Sequence, residues 1–122
     1  MIVGRVRSGV ASVPLTIRGP DGHSIYIDAA IDTGFNGQLS LTEECARDLG
    51  LVARMATTCE MADGTKVRVE LFDTEVEWSD GWRPVVAACL AGGPLVGMGM
   101  LEGSRLSMDV VQDGRVDIRS IE

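Results

Sequence analysis

The chain has 122 residues, of which 45% are hydrophobic and 24% are charged, and its formal net charge is -7. This length suits a single domain that buries enough apolar surface to fold without disulfides. The acidic residues are scattered and no basic stripe interrupts them, so we expect no nucleic-acid partner.

The three cysteines, Cys45, Cys59 and Cys89, show neither a disulfide framework nor the spacing of metal ligands. They indicate a reducing compartment, and we expect neither a metal nor another cofactor. No apolar run approaches the roughly 20 residues of a membrane span, and residues 1–10 lack the apolar core of a signal peptide. We therefore expect a cytoplasmic protein with no membrane partner.

Hairpin turns are predicted at four Asp-Gly dipeptides, because Gly readily adopts the positive φ that tight turns require. They are Asp21-Gly22, Asp63-Gly64, Asp80-Gly81 and Asp113-Gly114. Apolar and polar residues alternate in their flanks, which places one face of each strand on a core. The pattern predicts a mainly antiparallel, all-β fold, with residues 1–122 as one domain. At the third turn, Trp78 and Trp82 are expected to face each other across a three-residue loop.

Two short helices interrupt this pattern. Thr42 is a good N-cap, acidic residues follow it at the positive end of the helix dipole, and Gly50 can end the helix in the left-handed conformation. A weaker helical segment is predicted from Met98 to Glu102, before the last apolar strands.

The residues with the clearest chemical potential are Asp32-Thr33-Gly34, which follow an alternating strand ending at Ile31. The turn signal Phe35-Asn36-Gly37 comes next, so Asp32 lies where a strand becomes a loop. The alternative is an ordinary Asp that stabilises its own turn. About sixty residues later, Pro94-Leu95-Val96-Gly97 places two apolar residues and a Gly before the second helix.

An apolar strand, Asp-Thr-Gly, a short helix, a central hairpin and then apolar-apolar-Gly before a helix together resemble the retropepsin-like, single-domain aspartic proteases. The resemblance covers most of the chain, and residues 30–41 are most similar to small bacterial and archaeal members with Phe after the catalytic triplet. It implies a closed, retropepsin-like β-barrel with one or two short helices that acts as a homodimer. It also implies an aspartic endopeptidase whose other partner is a peptide or protein substrate.

The resemblance implies a role for each matching residue. Asp32 would be the catalytic carboxylate, Thr33 would brace the two active-site loops across the dimer axis, and Gly34 would allow close backbone approach. Leu95, Val96 and Gly97 would pack behind the loop as the second motif. The hairpin tip Met61, Ala62, Asp63, Gly64 and Thr65 would be a flap that closes over the substrate, the alternative being an ordinary surface turn. Phe35 departs from the Ala or Ser of retroviral relatives and leaves substrate access open.

Hydrolysis by this route needs two carboxylates, one acting as base and one as acid on the same water. The chain has one such motif, so a second copy must supply the other carboxylate. Two alternatives stay open. The same fold could serve as a dimerising or peptide-binding module that does not cleave. A cysteine protease would need His23, the only histidine, to meet Cys59, which nothing in the sequence favours.

Overall fold

The structure is a computed structural model that describes residues 1–79 and 81–121. Within these residues the chain forms ten strands and two short helices. In chain order they are β1 (Ile2–Arg7), β2 (Val10–Arg18), β3 (Ser24–Ile31), β4 (Leu39–Leu41), α1 (Glu43–Asp48), β5 (Met55–Glu60), β6 (Lys66–Trp78), β7 (Gly81–Cys89), β8 (Leu95–Val96), α2 (Met98–Leu101), β9 (Ser104–Met108) and β10 (Arg115–Ser120).

All ten strands belong to one sheet, in the order β5-β6-β7-β4-β8-β3-β2-β1-β10-β9. An additional pairing between β2 and β6 joins Ile17 to Val76 and Arg18 to Glu75, which bends six of the strands into a ring. The predicted closed barrel is therefore present only in part. The ring closes through two residue pairs, and β5, β1, β10 and β9 lie outside it.

The positive φ expected at the Asp-Gly turns is found at the glycine in two of them and at the preceding Asp in another. Gly22 and Gly64 have φ values of 84° and 86°, in the left-handed region that favours glycine. At the last hairpin Asp113 itself adopts φ 60°. In the third dipeptide Asp80 lies outside the described residues. The sequence patterns missed one hairpin, the β1–β2 turn at Ser8-Gly9, where both residues have positive φ.

The expected pairing of the two tryptophans is wrong. Trp78 pairs with Gly81, and Trp82 pairs with Glu77. Ser79 adopts a left-handed conformation with φ 57°. The strand pairing therefore continues to Trp78 and Gly81, which is closer to the tip than the expected three-residue loop allows. Trp82 instead stacks under the guanidinium of Arg18, with 4.1 Å between the Arg18 Cζ and the ring centroid.

Both predicted helices form. The Thr42 hydroxyl accepts a hydrogen bond from the Cys45 amide at 3.1 Å, and Gly50 follows the helix with φ 67°. The second helix is a single turn that begins after Gly97 and ends at Leu101, one residue earlier than expected. None of the helices among the described residues has the length and apolar character needed to cross a membrane.

The hydrophobic core lies inside the curved sheet and is formed by the buried faces of its strands. Along β3, Ile27 and Ala29 are buried whereas Tyr26 and Asp28 are exposed, as the alternating pattern predicts. Strands β4 and β8 are too short to show alternation, yet every residue of β4 is buried. Strand β8 pairs with β3 and β4 pairs with β8, so the two strands fix the position of the loop that follows β3.

Candidate active site

The fold brings the two sequence motifs together. Strand β8 lies between β3 and β4, parallel to the first and antiparallel to the second. The Asp32 amide donates to the Val96 carbonyl at 2.9 Å, and the Ala30 amide donates to the Pro94 carbonyl at 3.0 Å. The second motif thus fixes the backbone at the point where β3 becomes the Asp-Thr-Gly loop.

The Asp32 side chain is oriented by its own loop. Its Oδ1 accepts a hydrogen bond from the Gly34 amide at 2.9 Å, while Oδ2 accepts none from the described residues. A methyl group on Gly34 would lie 3.2 Å from Oδ1, which is closer than most carbon–oxygen contacts, so the small residue permits this approach. Asp32 is half-buried, and both Thr33 and Gly34 are exposed. One carboxylate oxygen is therefore available to water or to another group.

Three backbone hydrogen bonds anchor the rest of the loop to the second motif. The Gly97 amide donates to the Gln38 carbonyl at 3.0 Å. The Met98 amide donates to the Phe35 carbonyl at 2.7 Å, and the Gly99 amide donates to the Gly37 carbonyl at 3.1 Å. This close packing requires glycine at position 97. A methyl group there would overlap the Gly37 carbonyl oxygen and lie 2.5 Å from Phe35 Cδ2.

Phe35 covers the glycines of this contact. A methyl group on Gly37 would lie 2.5 Å from Phe35 Cζ, so the ring lies directly over the backbone there. The ring is half-buried and forms part of a cavity wall. Phe35 therefore helps to pack the loop and does not simply project into solvent beside Asp32.

Gln38 is a positioning residue that the sequence patterns missed. Its side-chain Oε1 accepts a hydrogen bond from the Val86 amide at 2.8 Å, and its backbone carbonyl accepts from Gly97. It thereby connects the loop to both β7 and β8. No local pattern marks it, because its partners are about 48 and 59 residues away in sequence and only the folded sheet brings them close.

The predicted flap residues form a tight hairpin tip between β5 and β6. The Met61 amide donates to the Thr65 carbonyl at 2.7 Å, and the Gly64 amide donates to Met61 at 2.9 Å. The Asp63 carboxylate accepts hydrogen bonds from both the hydroxyl and the amide of Thr65.

These bonds lower the pKa of Asp63, with the Thr65 hydroxyl as the main cause and the Thr65 amide second. Because the pKa is lower in the folded state, the ionised carboxylate contributes its full stabilisation of the turn at pH values above its usual pKa near 3.8. That contribution disappears as the pH falls through the lowered value. The tip is thus held by an ionised Asp63 at neutral pH.

A cavity of about 370 Å³ lies between the hairpin strands and the loop after Asp32. Its walls come from the loop, from both hairpin strands and from the end of β7. They are Phe35, Gly37, Gln38, Leu39, Thr57, Thr58, Cys59, Val69, Leu71, Val86, Ala88 and Leu90. Asp32 is not part of the wall, but the cavity opens beside Phe35, three residues along the same loop.

Thr33 lines a different depression, a groove that shares no lining residue with the cavity. It shares this groove with Met98 and Leu101 of α2 and with Leu106 of β9. Met98 is 48% exposed, although it is a large apolar side chain. The exposed side of the Asp-Thr-Gly loop is therefore continuous with a partly apolar surface.

The surroundings of Cys89 and the separation of His23 from Cys59 do not favour a cysteine nucleophile. Burial raises the pKa of the Cys89 thiol, and the nearby Glu43 and Glu70 carboxylates raise it further. This disfavours the thiolate that a nucleophilic cysteine needs. His23 lies in the β2–β3 turn and Cys59 in β5, on separate hairpins. No cluster of three potential metal ligands occurs among residues 1–79 and 81–121.

No protein-family model matches the chain, and no curated protein matches its sequence. Its fold is similar to the crystal structure of a retropepsin-like aspartic protease from Rickettsia conorii, with a TM-score of 0.63 and 18% sequence identity. The alignment covers 100% of this chain and 91% of that chain. At this identity the similarity concerns the fold alone, and it confirms the predicted β-rich, retropepsin-like architecture with few short helices.

Proposed function

We propose that the chain is a single-domain aspartic endopeptidase whose active site forms when two copies pair. The observation that carries the proposal is the position of Asp32 in a retropepsin-like fold. Its carboxylate follows β3, its backbone is held by Val96, and one carboxylate oxygen is open. We expect Asp32 to be the catalytic residue, with Thr33 and Gly34 supporting the loop and Leu95, Val96 and Gly97 bracing it from behind.

The proposed reaction requires a second carboxylate. A peptide bond is cleaved when one carboxylate removes a proton from a bound water and another protonates the leaving nitrogen. Two carboxylates in contact cannot both ionise at low cost, so they share one proton. One group is then ionised and can act as the base, while the other is protonated and can act as the acid, as in aspartic proteases generally. A two-fold axis next to the loop supplies the second Asp32 from an identical chain.

The exposure of Thr33 and Gly34 favours a partner on this side of the loop. Both residues are accessible in the single chain, and the partly apolar groove lined by Thr33, Met98 and Leu106 begins there. Apolar surface left exposed on one chain is stabilised when another chain covers it. In the pair, Thr33 would contact its counterpart and hold the two Asp32 side chains at a fixed separation.

An extended substrate would bind between the hairpin and the loop. The 370 Å³ cavity at this position is lined mostly by apolar groups, including Leu39, Val69 and Leu90. It would accept an apolar substrate side chain while the peptide backbone pairs with neighbouring strands. The tip at residues 61–65 would then act as the flap that excludes water during the reaction.

A peptide with a statine-type hydroxyl, which resembles the tetrahedral intermediate, tests both the chemistry and the flap. We expect the protein to cleave an unstructured peptide library between pH 4 and 8. The statine peptide should inhibit this cleavage, whereas a chelator and a thiol reagent should not. Hydrogen exchange measured by mass spectrometry should slow at residues 59–65 when the statine peptide binds, with the β2–β3 turn at residues 19–23 as the unaffected reference.

Different results of these experiments would refute the aspartic mechanism, the flap or the cleavage activity separately. Cleavage that a chelator stops and zinc restores would refute the aspartic mechanism. Inhibition without any change of exchange at residues 59–65 would refute the flap. Binding of the statine peptide with no cleavage of any library peptide would favour the alternative, a peptide-binding module.

The open cavity beside Phe35 argues for access to the site, because the ring packs on Gly37 and leaves that volume empty.

A further inference from the structure

The outward face of the sheet formed by β1, β10 and β9 carries an unusual arrangement of arginines. Arg5 lies directly opposite Arg115 across β1 and β10, and Arg105 lies directly opposite Arg119 across β9 and β10. All four side chains are exposed. Like charges directly opposite each other on a sheet destabilise it, so two such pairs on one strand are unfavourable for the isolated chain.

A single carboxylate lies between the two pairs. Asp117 is midway between Arg115 and Arg119 along β10, with its side chain 11% exposed. It accepts hydrogen bonds from Arg115 at 3.4 Å and from Arg119 at 3.2 Å. Neither Arg5 nor Arg105 forms an ion pair with any described residue. Two further carboxylates lie in the loop between β9 and β10, where Asp113 pairs with Arg7 at 3.2 Å and the Asp109 amide donates to the Arg115 carbonyl at 2.9 Å.

The charge on this face contrasts with the rest of the molecule. The four arginines and Asp117 carry a net +3 in a chain whose total is -7, so the remaining residues carry -10. Residues four apart on a strand are separated by about 13 Å, and neighbouring strands by about 4.8 Å. The backbone positions of the four arginines therefore lie within an area of roughly 13 by 10 Å, and each side of this area is comparable to the Debye length at physiological salt.

We propose that this arginine face, defined by Arg5, Arg105, Arg115 and Arg119, is a docking surface for a short acidic segment of another protein. Guanidinium groups bind carboxylates in a planar, two-pronged geometry, and carboxylates placed between the pairs would relieve the repulsion across the strands. The proposal does not depend on the proposed peptidase activity, since none of these residues belongs to that site.

Two features favour an acidic polypeptide over a nucleic acid. A short segment interacts only with charges within about a Debye length, whereas a longer phosphate backbone would extend onto the acidic remainder of the surface. None of the strand residues on the arginine face is aromatic, so no side chain there can stack on an unpaired base.

Fluorescence anisotropy with a labelled ten-residue peptide of alternating Glu and Ser tests the proposal. We expect saturable binding at low salt that weakens as salt rises, and no binding of the corresponding Gln-Ser peptide. The double variant Arg105→Ser/Arg119→Ser should bind at least tenfold more weakly, because two charge-assisted contacts are lost. The control variant Arg47→Ser/Arg54→Ser has the same net charge but keeps the arginine face, and its affinity should equal that of the wild type.

Thermal unfolding of both double variants, followed by circular dichroism, confirms that each is folded. Equal weakening in the two variants would show that only net charge matters and would overturn the proposal. Equal binding of the Gln-Ser peptide would also overturn it. A ten-nucleotide single-stranded DNA that binds more tightly than the acidic peptide would identify a nucleic-acid surface instead and contradict the choice of partner.

Discussion

Replacing Asp32 by Asn is expected to abolish peptide cleavage, with a fall in kcat on the order of a thousandfold or more, as is typical when a central catalytic group is removed. The amide is nearly the same size as the carboxylate, and its oxygen can still accept the hydrogen bond from the Gly34 amide. It cannot take a proton from water, so the chemistry stops while the loop keeps its shape.

The neighbouring strand provides a matched control. Asp28 lies on β3, four residues before Asp32, and is exposed on the outward face of the sheet. Asp28→Asn removes the same charge four residues before Asp32 and should leave kcat/KM unchanged. Both variants should have the circular dichroism spectrum of the wild type. An Asp32→Asn protein that is folded and still cleaves at the wild-type rate would refute the assignment of Asp32.

Replacing Gly97 by Ala is expected to destabilise the protein by about 3 kcal/mol, the upper part of the range for forcing an atom into a packed site. The added methyl group would overlap the Gly37 carbonyl and press on the Phe35 ring. Neither neighbour can move freely, because the Gly99 amide binds Gly37 and the Met98 amide binds the Phe35 carbonyl. Urea unfolding measures the loss, and cleavage should fall with the distortion of the loop.

Gly81→Ala is the control for this change. A methyl group on Gly81 would have no neighbour within 4 Å among the described residues, and Gly81 lies in strand β7, whose extended backbone suits alanine. Its free energy of unfolding should therefore stay within about 0.5 kcal/mol of the wild type. If Gly97→Ala were equally harmless, the tight packing of the second motif against the loop would be wrong.

Much of the fold is predictable because its determinants are local. Positive-φ glycines mark the turns at Gly22 and Gly64, a hydroxyl at Thr42 marks the start of α1, and alternation marks β3. Each of these signals acts within a few residues. The Ser8-Gly9 turn is also local, but Ser-Gly is a weaker hairpin signal than Asp-Gly, so it does not stand out in the sequence.

The remaining features depend on contacts between distant parts of the chain. The parallel pairing of β3 with β8 joins segments more than sixty residues apart, and neither strand shows which neighbour it will have. The same holds for Gln38, whose partner is Val86, and for the β2–β6 contact that closes only part of a barrel. The position of Asp32 was predictable from its motif, whereas the residues that hold it in place were found only in the folded sheet.

The role of Phe35 also changes when it is seen in the fold. In the sequence it stands where the retroviral proteases that the chain resembles carry Ala or Ser, and this raises the question of substrate access. In the structure its ring lies over Gly37 and next to Gly97, where it fills the space above backbone that has no side chains. The cavity beside it remains open, so the residue is compatible with both a stable loop and a bound peptide.

Mixing wild-type protein with Asp32→Asn protein tests most directly whether one active site needs two chains. After equal amounts are unfolded together and refolded, random pairing leaves about one quarter of the dimers fully wild-type and about one half mixed. Because a mixed dimer has only one carboxylate, activity per total protein should fall to about one quarter of that of the wild type. A site complete within one chain would instead keep about half of the activity. If mixed-tag pull-down shows free subunit exchange and the activity still remains at one half, the paired active site is contradicted.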